Sequence, residues 1–457
     1  MKRTPSATTV RPAAAAPKTS PEPRIETPLV TPSAVPTTSA KSGIPAAIAS
    51  AAEVAPLERT VFGHVDIDFS GQPLYFTSSF DGSQRFNMWL DTMRFAREFA
   101  ERFGTTLHFT YFINTCYYDT TVRGSQIGRA QTREEVLVRR ALTQQALNEG
   151  HEIGNHGVRH ENGMTWSTER WKREFDEFHA VSDKTLFKPI IVEGRPVFPR
   201  FEPPGDVAPR AVGARCKGDD DCDSDSCIDV TAHDSFCTDR CNRKQPCPDN
   251  TACGTPLFND QTDVCVPVPS FPIEHDGEIL FDEHGEPNMD ALEPYRIIGY
   301  RAPFLAFNDG LVETLVDRRY VYDASQVARP GMPLHVHIFD KRGAFLGFPL
   351  MQYPGTRAIP MDFNYLKAGL GGKPMIDDYK HSLLTAYAAD SRPPWNIGHH
   401  FSTWRDGAYW DAMQTTVHFA AQGCPGKDDE KRCPEVRFVS FRDLARIVIS
   451  KVRQNAP

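Results

Sequence analysis

The sequence has no run of about twenty apolar residues, so no segment has the composition of a transmembrane helix. It also has no excess of basic residues, since the formal net charge is -8. Phosphate binding requires clustered lysine and arginine, so this balance argues against a nucleic-acid or anionic-membrane partner. The eleven cysteines include no C-x-x-C spacing, which argues against a zinc ribbon.

Residues 1–58 have few of the aromatic and large apolar side chains from which a core is built. The segment is rich in Ala, Pro, Ser and Thr and cannot bury enough apolar area to offset the entropy of ordering. We therefore expect a disordered tether. Its first residues are basic but include no apolar h-region, so no signal peptide is visible in the sequence.

Cysteine is concentrated in one short polar stretch. Eight cysteines lie there: Cys216, Cys222, Cys227, Cys237, Cys241, Cys247, Cys253 and Cys265. A dense, even-numbered set predicts a framework of four disulfides, whose pairing stays open, and an oxidising compartment. We therefore expect a secreted, periplasmic or cell-surface protein, although a thiol-rich cytosolic metal module is the alternative. Cys424 and Cys433 form a separate close pair, and Cys116 follows an apolar strand and is predicted to be a buried thiol.

Strand and helix patterns alternate on both sides of the cysteine-rich stretch. "LYFTSSF" and "TLHFTYFI" are typical of strands, and Thr132 with Glu135 resembles a capping box for a helix that runs to Asn148. "WNIGHHFSTW" predicts a late strand, and "VRFVSFRDLARIVISKV" a last strand and helix. The alternation predicts an α/β protein with a parallel sheet or barrel. The predicted division is a tether at 1–58, a first barrel part at 59–205, a cysteine-rich insert at 206–268 and a second barrel part at 269–457.

Candidate functional side chains stand where predicted strands end: Asp81, His156 with His160, Arg301, Asp323, and His399 with His400. In a β/α barrel the C-terminal ends of the strands line the active-site face. At their i, i+4 spacing, His156 and His160 can share one face of a helical turn. Two imidazoles and a carboxylate suit a catalytic zinc site, although a histidine pair at this spacing is also common on protein surfaces.

These segments resemble, in order and rough spacing, the motifs of the NodB-type polysaccharide deacetylases and, within them, the chitin deacetylases. "FTSSFDG" is similar to the first motif, "GHEIGNHGVRH" to the second, "GYRAPF" to the third, "YVYDAS" to the fourth and "NIGHHFSTW" to the last. The resemblance covers roughly 74–185 and 295–450. It implies a distorted (β/α)7 barrel that uses Zn²⁺, or another divalent transition metal. The implied reaction removes N-acetyl groups from a polysaccharide or oligosaccharide containing N-acetylglucosamine, chitin-like or peptidoglycan.

The resemblance also implies a role for each candidate residue. Asp81, His156 and His160 would hold the metal. His399 would be the catalytic histidine, or His400 if one residue is inserted in the last motif. Asp323 would orient that histidine. Arg301 matches the arginine that holds the catalytic base in the family. Four aromatic residues near the motifs would stack on sugar rings or pack in the core: Trp166, Phe304, Trp395 and Trp404.

One position departs from the family pattern. The first motif ordinarily has two adjacent aspartates, and the first of them, the general base, is replaced by Phe80. Asp66 and Asp68 are candidate substitutes, although a solvated turn is the favoured interpretation of both. The departure leaves two functions open, a weakened deacetylase or a non-catalytic carbohydrate-binding protein that keeps the fold and the metal. A third is that the cysteine-rich insert docks a partner on an envelope surface.

Overall fold

A computed structural model describes residues 67–122, 127, 131–242, 244–254, 262–332, 337–340, 344–427 and 430–455. The predicted tether of residues 1–58 lies outside this described part. Among the described helices, none combines the length and the apolar character that crossing a membrane requires.

The described part contains eight α-helices and twenty mostly short strands. The helices are α1 (Phe86–Phe103), α2 (Arg133–Asn148), α3 (Thr168–Ser182), α4 (Asp309–Asp317), α5 (Asp362–Lys367), α6 (Gly372–Ala388), α7 (Ala408–Ala421) and α8 (Phe441–Asn455). The strands before residue 240 are β1 (Leu74–Asp81), β2 (Phe109–Ile113), β3 (Glu152–Asn155), β4 (Ile191–Val192), β5 (Arg195–Pro196), β6 (Cys227–Asp229) and β7 (Ser235–Cys237). The remaining strands are β8 (Arg240–Cys241), β9 (Thr251–Cys253), β10 (Asp263–Pro267), β11 (Ile273–His275), β12 (Glu278–Phe281), β13 (Gly299–Tyr300), β14 (Tyr322–Asp323), β15 (Val327–Ala328), β16 (His337–Asp340), β17 (Ala344–Gly347), β18 (Leu350–Met351), β19 (Trp395–His400) and β20 (Val436–Phe438).

The main sheet has the strand order β16-β17-β14-β13-β3-β2-β1-β19, and β20 pairs with β1. All neighbouring pairs in it are parallel except β16 with β17, which is antiparallel. Helices alternate with these strands along the chain, as expected where parallel strands need crossover connections. This parallel half-barrel confirms the predicted α/β class and is consistent with a distorted (β/α) barrel.

The elements predicted from local signals begin and end close to where the sequence placed them. At α2, the Thr132 hydroxyl accepts a hydrogen bond from the Glu135 amide at 3.2 Å, and the Glu135 carboxylate accepts one from the Thr132 amide at 2.8 Å. This reciprocal capping box satisfies two amides that the helix leaves unpaired. Helix α1 ends at Gly104, whose φ of 64° is the left-handed conformation that glycine adopts without strain.

The two faces of β1 pack against different groups of residues. Phe80 lies on one face, in an aromatic cluster with Tyr111 of β2 and Trp410 of α7. Ser79 and Asp81 lie on the opposite face, because successive side chains of a strand alternate. The sheet therefore directs Asp81 and Phe80, which are neighbours in sequence, into separate environments.

Five disulfides are present in the described part: Cys216–Cys227, Cys222–Cys237, Cys241–Cys253, Cys247–Cys265 and Cys424–Cys433. The predicted four-disulfide framework is therefore confirmed, and the separate C-terminal pair adds a fifth bridge. Because these sulfurs are bonded to one another, they are not available as the thiolate ligands of the alternative metal module. Cys116 is buried and lies outside the disulfides, as predicted.

The cysteine-rich insert is fastened to the first helix of the barrel. The N-cap residue of α1, Arg85, provides no side-chain cap. Instead, the Asp263 carboxylate of the insert accepts hydrogen bonds from the amides of Phe86, at 2.9 Å, and Asn87, at 2.8 Å. Arg85 in turn donates to the Thr262 carbonyl. The insert thus supplies the acidic cap that a helix N-terminus favours.

We expect Gly299→Ala to destabilise the fold. A Cβ atom at Gly299 would lie 1.8 Å from the ring of Tyr322, the residue paired with it on the neighbouring strand. Overpacking of this kind costs about 1–3 kcal/mol or more, and a lower midpoint of denaturant unfolding would report it. Gly205→Ala is the matched control, since a Cβ there meets no atom within 4 Å. Equal midpoints for the two variants would contradict the packing described here.

Candidate active site

The candidate site is built around a buried ion pair between Asp81, the last residue of β1, and Arg301, which follows β13. The Arg301 Nη1 donates to Asp81 Oδ1 at 2.9 Å and to the Ser79 hydroxyl at 2.8 Å. Its Nε donates to the Ala324 carbonyl at 3.1 Å, and its guanidinium lies 4.5 Å from the ring centre of Phe112. These contacts fix the guanidinium between β1, β2 and the end of β14.

The ion pair is shielded from solvent, with side-chain exposures of 0% for Arg301 and 3% for Asp81. Burial by itself would raise the pKa of Asp81, but the charge of Arg301 and its hydrogen bond oppose this, and that pKa lies below its ordinary value. The Asp81 side chain is therefore an ionised carboxylate. A buried charge of this kind is tolerated only because it is paired and hydrogen-bonded.

His156 and His160 lie in the loop that follows β3, and not on the helical turn that their spacing allows. The His156 Nδ1 lies 2.7 Å from the Arg301 carbonyl oxygen. Because a carbonyl only accepts hydrogen bonds, Nδ1 carries the proton and Nε2 keeps its lone pair. His160 has a left-handed φ of 57°, and its ring centre lies 5.1 Å from that of His156. The histidines thus adjoin through a strained turn and not through helical spacing.

The loop that carries the two histidines is held by hydrogen bonds from both sides. Asn155 Oδ1 accepts from the Gly157 amide at 2.7 Å, and Glu174 Oε1 accepts from the Val158 amide at 2.6 Å. Gly157 has a φ of 75°, and a Cβ there would lie 2.9 Å from Glu174 Oε1. Only glycine meets both the left-handed conformation and the close approach of the carboxylate.

Both histidines present a nitrogen that is buried and has no hydrogen-bond partner, Nε2 in His156 and Nδ1 in His160. Burial lowers the pKa of His156, and burial together with the neighbouring imidazoles lowers that of His160 to about 3. Both rings are therefore neutral near pH 7. Buried nitrogens without partners are costly, and neutral imidazoles beside a carboxylate are a donor set that suits a divalent transition metal.

The three candidate metal ligands are close neighbours but are not drawn together as tightly as a bound ion requires. Among the described residues, the sets of three whose donor atoms all lie within 4.8 Å of one another consist of disulfide cysteines and do not include Asp81, His156 and His160. Ligands about 2.1 Å from one ion lie within about 4.2 Å of each other. The residues fit a divalent ion chemically, and their side chains must move closer together to hold it.

His399 and His400 lie on opposite faces of β19. His399 is buried on the Phe80 side, with Nε2 3.1 Å from the Tyr379 hydroxyl, and burial lowers its pKa to about 4. His400 is the strand partner of Asp81 and keeps 24% of its side chain exposed. Of the two, His400 is therefore the one that shares a face with Asp81 and is reachable by a substrate.

His400 is held by Asp362 at the start of α5, a residue that the sequence did not single out. The His400 Nδ1 lies 2.6 Å from Asp362 Oδ1, and the His400 amide donates to Asp362 Oδ2 at 2.8 Å. Burial would lower the pKa of His400, but the charge of Asp362, its hydrogen bond and the charge of Asp81 raise it above its ordinary value. Asp362 thereby orients His400 and favours its protonated form.

The predicted role of Asp323 as the partner of the catalytic histidine is wrong. Its carboxylate accepts hydrogen bonds from the Ser325 hydroxyl at 2.6 Å and the Ser325 amide at 3.1 Å. The Ser325 hydroxyl in turn accepts from the Ala302 amide at 2.7 Å, beside Arg301. Asp323 therefore holds the backbone that carries Arg301, and burial raises its pKa to about 7.

Of the two candidate substitutes for the missing base, Asp68 is the one that the structure describes, and it does not lie beside Asp81. Asp68 is exposed in a turn before β1, where its carboxylate accepts from the amide and the hydroxyl of Ser70, both at 2.8 Å. This matches the solvated turn that was the favoured interpretation, and Asp66 lies outside the described residues. Phe80 points away from Asp81 into the aromatic cluster, so its ring does not occupy the space next to the carboxylate.

Exposed aromatic rings border the candidate site on both sides. Phe304 is 55% exposed and lies 4.9 Å from the His160 ring, whereas Phe363 is 44% exposed and lies 6.0 Å from the His400 ring. Trp404 lies 5.1 Å from His400. Of the other two predicted aromatics, Trp395 is fully buried and Trp166 is half-buried against Trp171. Of the predicted stacking residues, Phe304 and Trp404 therefore lie beside the site. Phe363 also lies there, although the sequence did not single it out.

Comparison with known proteins supports the family resemblance. Residues 105–191, which include β2, β3 and the histidine loop, match the family model described as Polysaccharide deacetylase. No curated protein matches the chain significantly.

Solved structures with partial similarity include two deacetylases. A polysaccharide deacetylase from Mycobacterium smegmatis has a TM-score of 0.41 and 11% identity, covering 88% of this chain and 96% of that chain. The chitin deacetylase from the fungus Colletotrichum lindemuthianum has a TM-score of 0.35 and 8% identity, covering 83% and 90%.

We expect Asp323→Asn to flatten the dependence of stability on pH. The pKa of Asp323 is raised in the folded state, from 3.8 to about 7, so the folded state binds this proton more tightly than the unfolded state. Its contribution to stability is therefore greatest below pH 4 and is lost as the pH rises through about 7, by up to about 1.4 kcal/mol per pH unit.

Denaturant unfolding of Asp323→Asn between pH 4 and 8 measures this slope. The variant should lose less stability than the unmodified protein over that range, because the amide has no proton to release. Asp411→Asn is the control, since Asp411 is exposed on α7. Parallel curves for Asp323→Asn and the unmodified protein would contradict the raised pKa.

Proposed function

We propose that this chain, which contains a polysaccharide deacetylase sequence over residues 105–191, is a metal-dependent N-deacetylase. Its substrate would be a polymer that contains N-acetylglucosamine, chitin-like or peptidoglycan. The observation that carries the proposal is that β1 and β19 end side by side on Asp81 and His400, with two unsatisfied imidazole nitrogens close by. These positions support the proposal because a carboxylate, a candidate proton donor and two candidate metal-binding nitrogens lie at the end of the parallel strands.

Asp81, His156 and His160 are the residues that would hold the ion, Zn²⁺ or another divalent transition metal. When bound, such an ion would stabilise the negative charge that develops on the acetyl oxygen. Arg301 contributes twice to this arrangement, since its guanidinium orients Asp81 and its carbonyl fixes the tautomer of His156. Partners of this kind orient metal ligands and raise their basicity.

His400 is the general acid in this proposal. The departing amine must take up a proton, and a histidine held by a carboxylate is suited to deliver it. Asp362 occupies the Nδ1 of His400, which leaves Nε2 as the nitrogen that faces the substrate. Arg301 and Asp323 would position the site without contact with the substrate, and His399, buried beside Tyr379, would be structural.

The missing aspartate predicts a slow enzyme. Among the described residues, the strand-end carboxylates Asp81 and Asp323 and the carboxylate of Asp362 are each hydrogen-bonded to a partner. Loss of a positioned base typically costs about 10²- to 10⁴-fold in rate. Phe80 also favours a second candidate function, a carbohydrate-binding protein that retains the fold and the metal residues without turnover.

Two features support a carbohydrate outside the cell as the substrate. Phe304 and Phe363 expose flat apolar rings on either side of the site, and such rings stack on the CH faces of sugars. The five disulfides support an oxidising location, secreted, periplasmic or at the cell surface.

We expect His160→Ala to lower both the zinc content and the rate of acetate release. The change removes one of the two imidazole nitrogens that have no partner, so the remaining donors hold the ion more weakly. The measurements are zinc content after dialysis and acetate release from chitooligosaccharides with added zinc. His284→Ala, at a histidine that is 65% exposed, should leave both unchanged. Zinc content equal to that of the unmodified protein would exclude His160 as a ligand.

We expect Asp362→Asn to lower kcat by about 10- to 100-fold, the range for residues that orient catalytic groups. The amide cannot stabilise a protonated His400, whereas the sugar contacts remain, so KM should change little. Steady-state acetate release measures both constants. If kcat is unchanged, His400 is not the proton donor, and if no acetate is released by the unmodified protein while oligosaccharides bind, the second candidate function is favoured.

A further inference from the structure

A groove of about 400 Å³ lies between the cysteine-rich insert and the candidate active-site edge. Its volume falls within the range of about 300–1,000 Å³ typical of ligand sites. The barrel side of the groove includes Arg85, Asn87, Thr403 and Asp406, and the insert side includes Ile228 and Arg240.

Both loops on the barrel side of the groove begin at the site. Arg85 lies in the connection from β1 to α1, four residues after Asp81, and Asn87 lies in the first turn of α1. Thr403 and Asp406 follow His400 in the connection from β19 to α7. Since β1 and β19 are adjacent parallel strands, their connections leave from the same edge of the sheet. The groove and the site therefore border the same edge of the sheet.

The chemistry of the groove suits a neutral, polyhydroxylated ligand. The lining contains three arginines and four aspartates, together with Leu90, Ile228 and Val264. Such a nearly balanced set does not favour a phosphate or a free cation. In the described part, the side chains of Arg240, Thr403 and Asp406 form no hydrogen bond or ion pair, so a donor, a hydroxyl and an acceptor remain available to sugar hydroxyls.

The insert side of the groove is rigid. Ile228 follows Cys227, and Arg240 precedes Cys241, and both cysteines are in disulfides. The Asp263 cap on α1 then fixes this wall relative to the barrel. A site with rigid walls loses less entropy on binding than one made of mobile loops.

We propose that this groove binds the sugar units that flank the unit being deacetylated, so that the insert selects long chains over short ones. The proposal rests on the proposed function, because it takes the polysaccharide as the ligand. The sugar chain would pass Trp404, which contacts His400, and continue between Asp406 of the barrel and Arg240 of the insert.

The test compares the substrate chain-length preference of Arg240→Ser and Ile228→Trp with that of the unmodified protein. The probes are the dimer and the hexamer of N-acetylglucosamine, with the full zinc-loaded chain and acetate release as the readout. Loss of an arginine hydrogen bond, or a bulky ring in the groove, should lower the ratio of kcat/KM for hexamer over dimer by about 10-fold. Lys217→Ser, an exposed change in the same insert outside the groove, should keep the ratio.

An unchanged ratio in both groove variants would overturn the proposal while leaving the deacetylase function intact. If the unmodified protein releases no acetate, calorimetric binding of the hexamer replaces the rate, and equal affinity in all variants overturns the proposal. If the variants affect only fragments that carry a peptide, the occupant is a peptide and the proposal fails. Melting temperatures show whether each variant is folded, and Arg240→Ser, at an exposed position, keeps the test valid if Ile228→Trp does not fold.

Discussion

The buried contact between Arg301 and Asp81 is the interaction on which the rest of the site depends. The guanidinium of Arg301 connects the end of β1 to the end of β14, and its backbone carbonyl accepts a hydrogen bond from the Nδ1 of His156. Arg301 thus stabilises the ionised form of Asp81 through its side chain and sets the tautomer of His156 through its backbone. Loss of either charged partner would leave the other buried alone, which typically costs about 3–5 kcal/mol.

The sequence predicted those parts of the fold that local signals specify. The capping box of α2, the glycine that ends α1 and the strands that end on Asp81 and His400 depend on neighbouring residues and are found as predicted. Asp362 lies 38 residues from His400 and has no pattern that marks it, so only the folded chain brings the two together. The prediction that Asp323 orients the catalytic histidine failed because its carboxylate instead accepts hydrogen bonds from Ser325, two residues away.

At the histidine loop and at Phe80, the backbone conformation could not be predicted from the sequence motif. The i, i+4 spacing of His156 and His160 is compatible with a helix, but the left-handed φ of His160 and the hydrogen bond that Glu174 accepts from Val158 produce an irregular loop. Phe80 stands where the resemblance expects a base, but strand alternation turns its ring to the other face of the sheet. In both cases the backbone conformation determines which residues the side chain contacts, and a sequence motif does not specify that conformation.

Because Asp263 caps α1, the cysteine-rich insert is structurally connected to the barrel. Disulfide density marks residues 206–268 as a module, yet two backbone amides of the barrel find their acceptors inside it. A chain from which residues 206–268 were removed would lose the acceptor of both amides at the start of α1. The segment therefore contributes to the stability of the first barrel helix as well as to its own disulfide-bonded core.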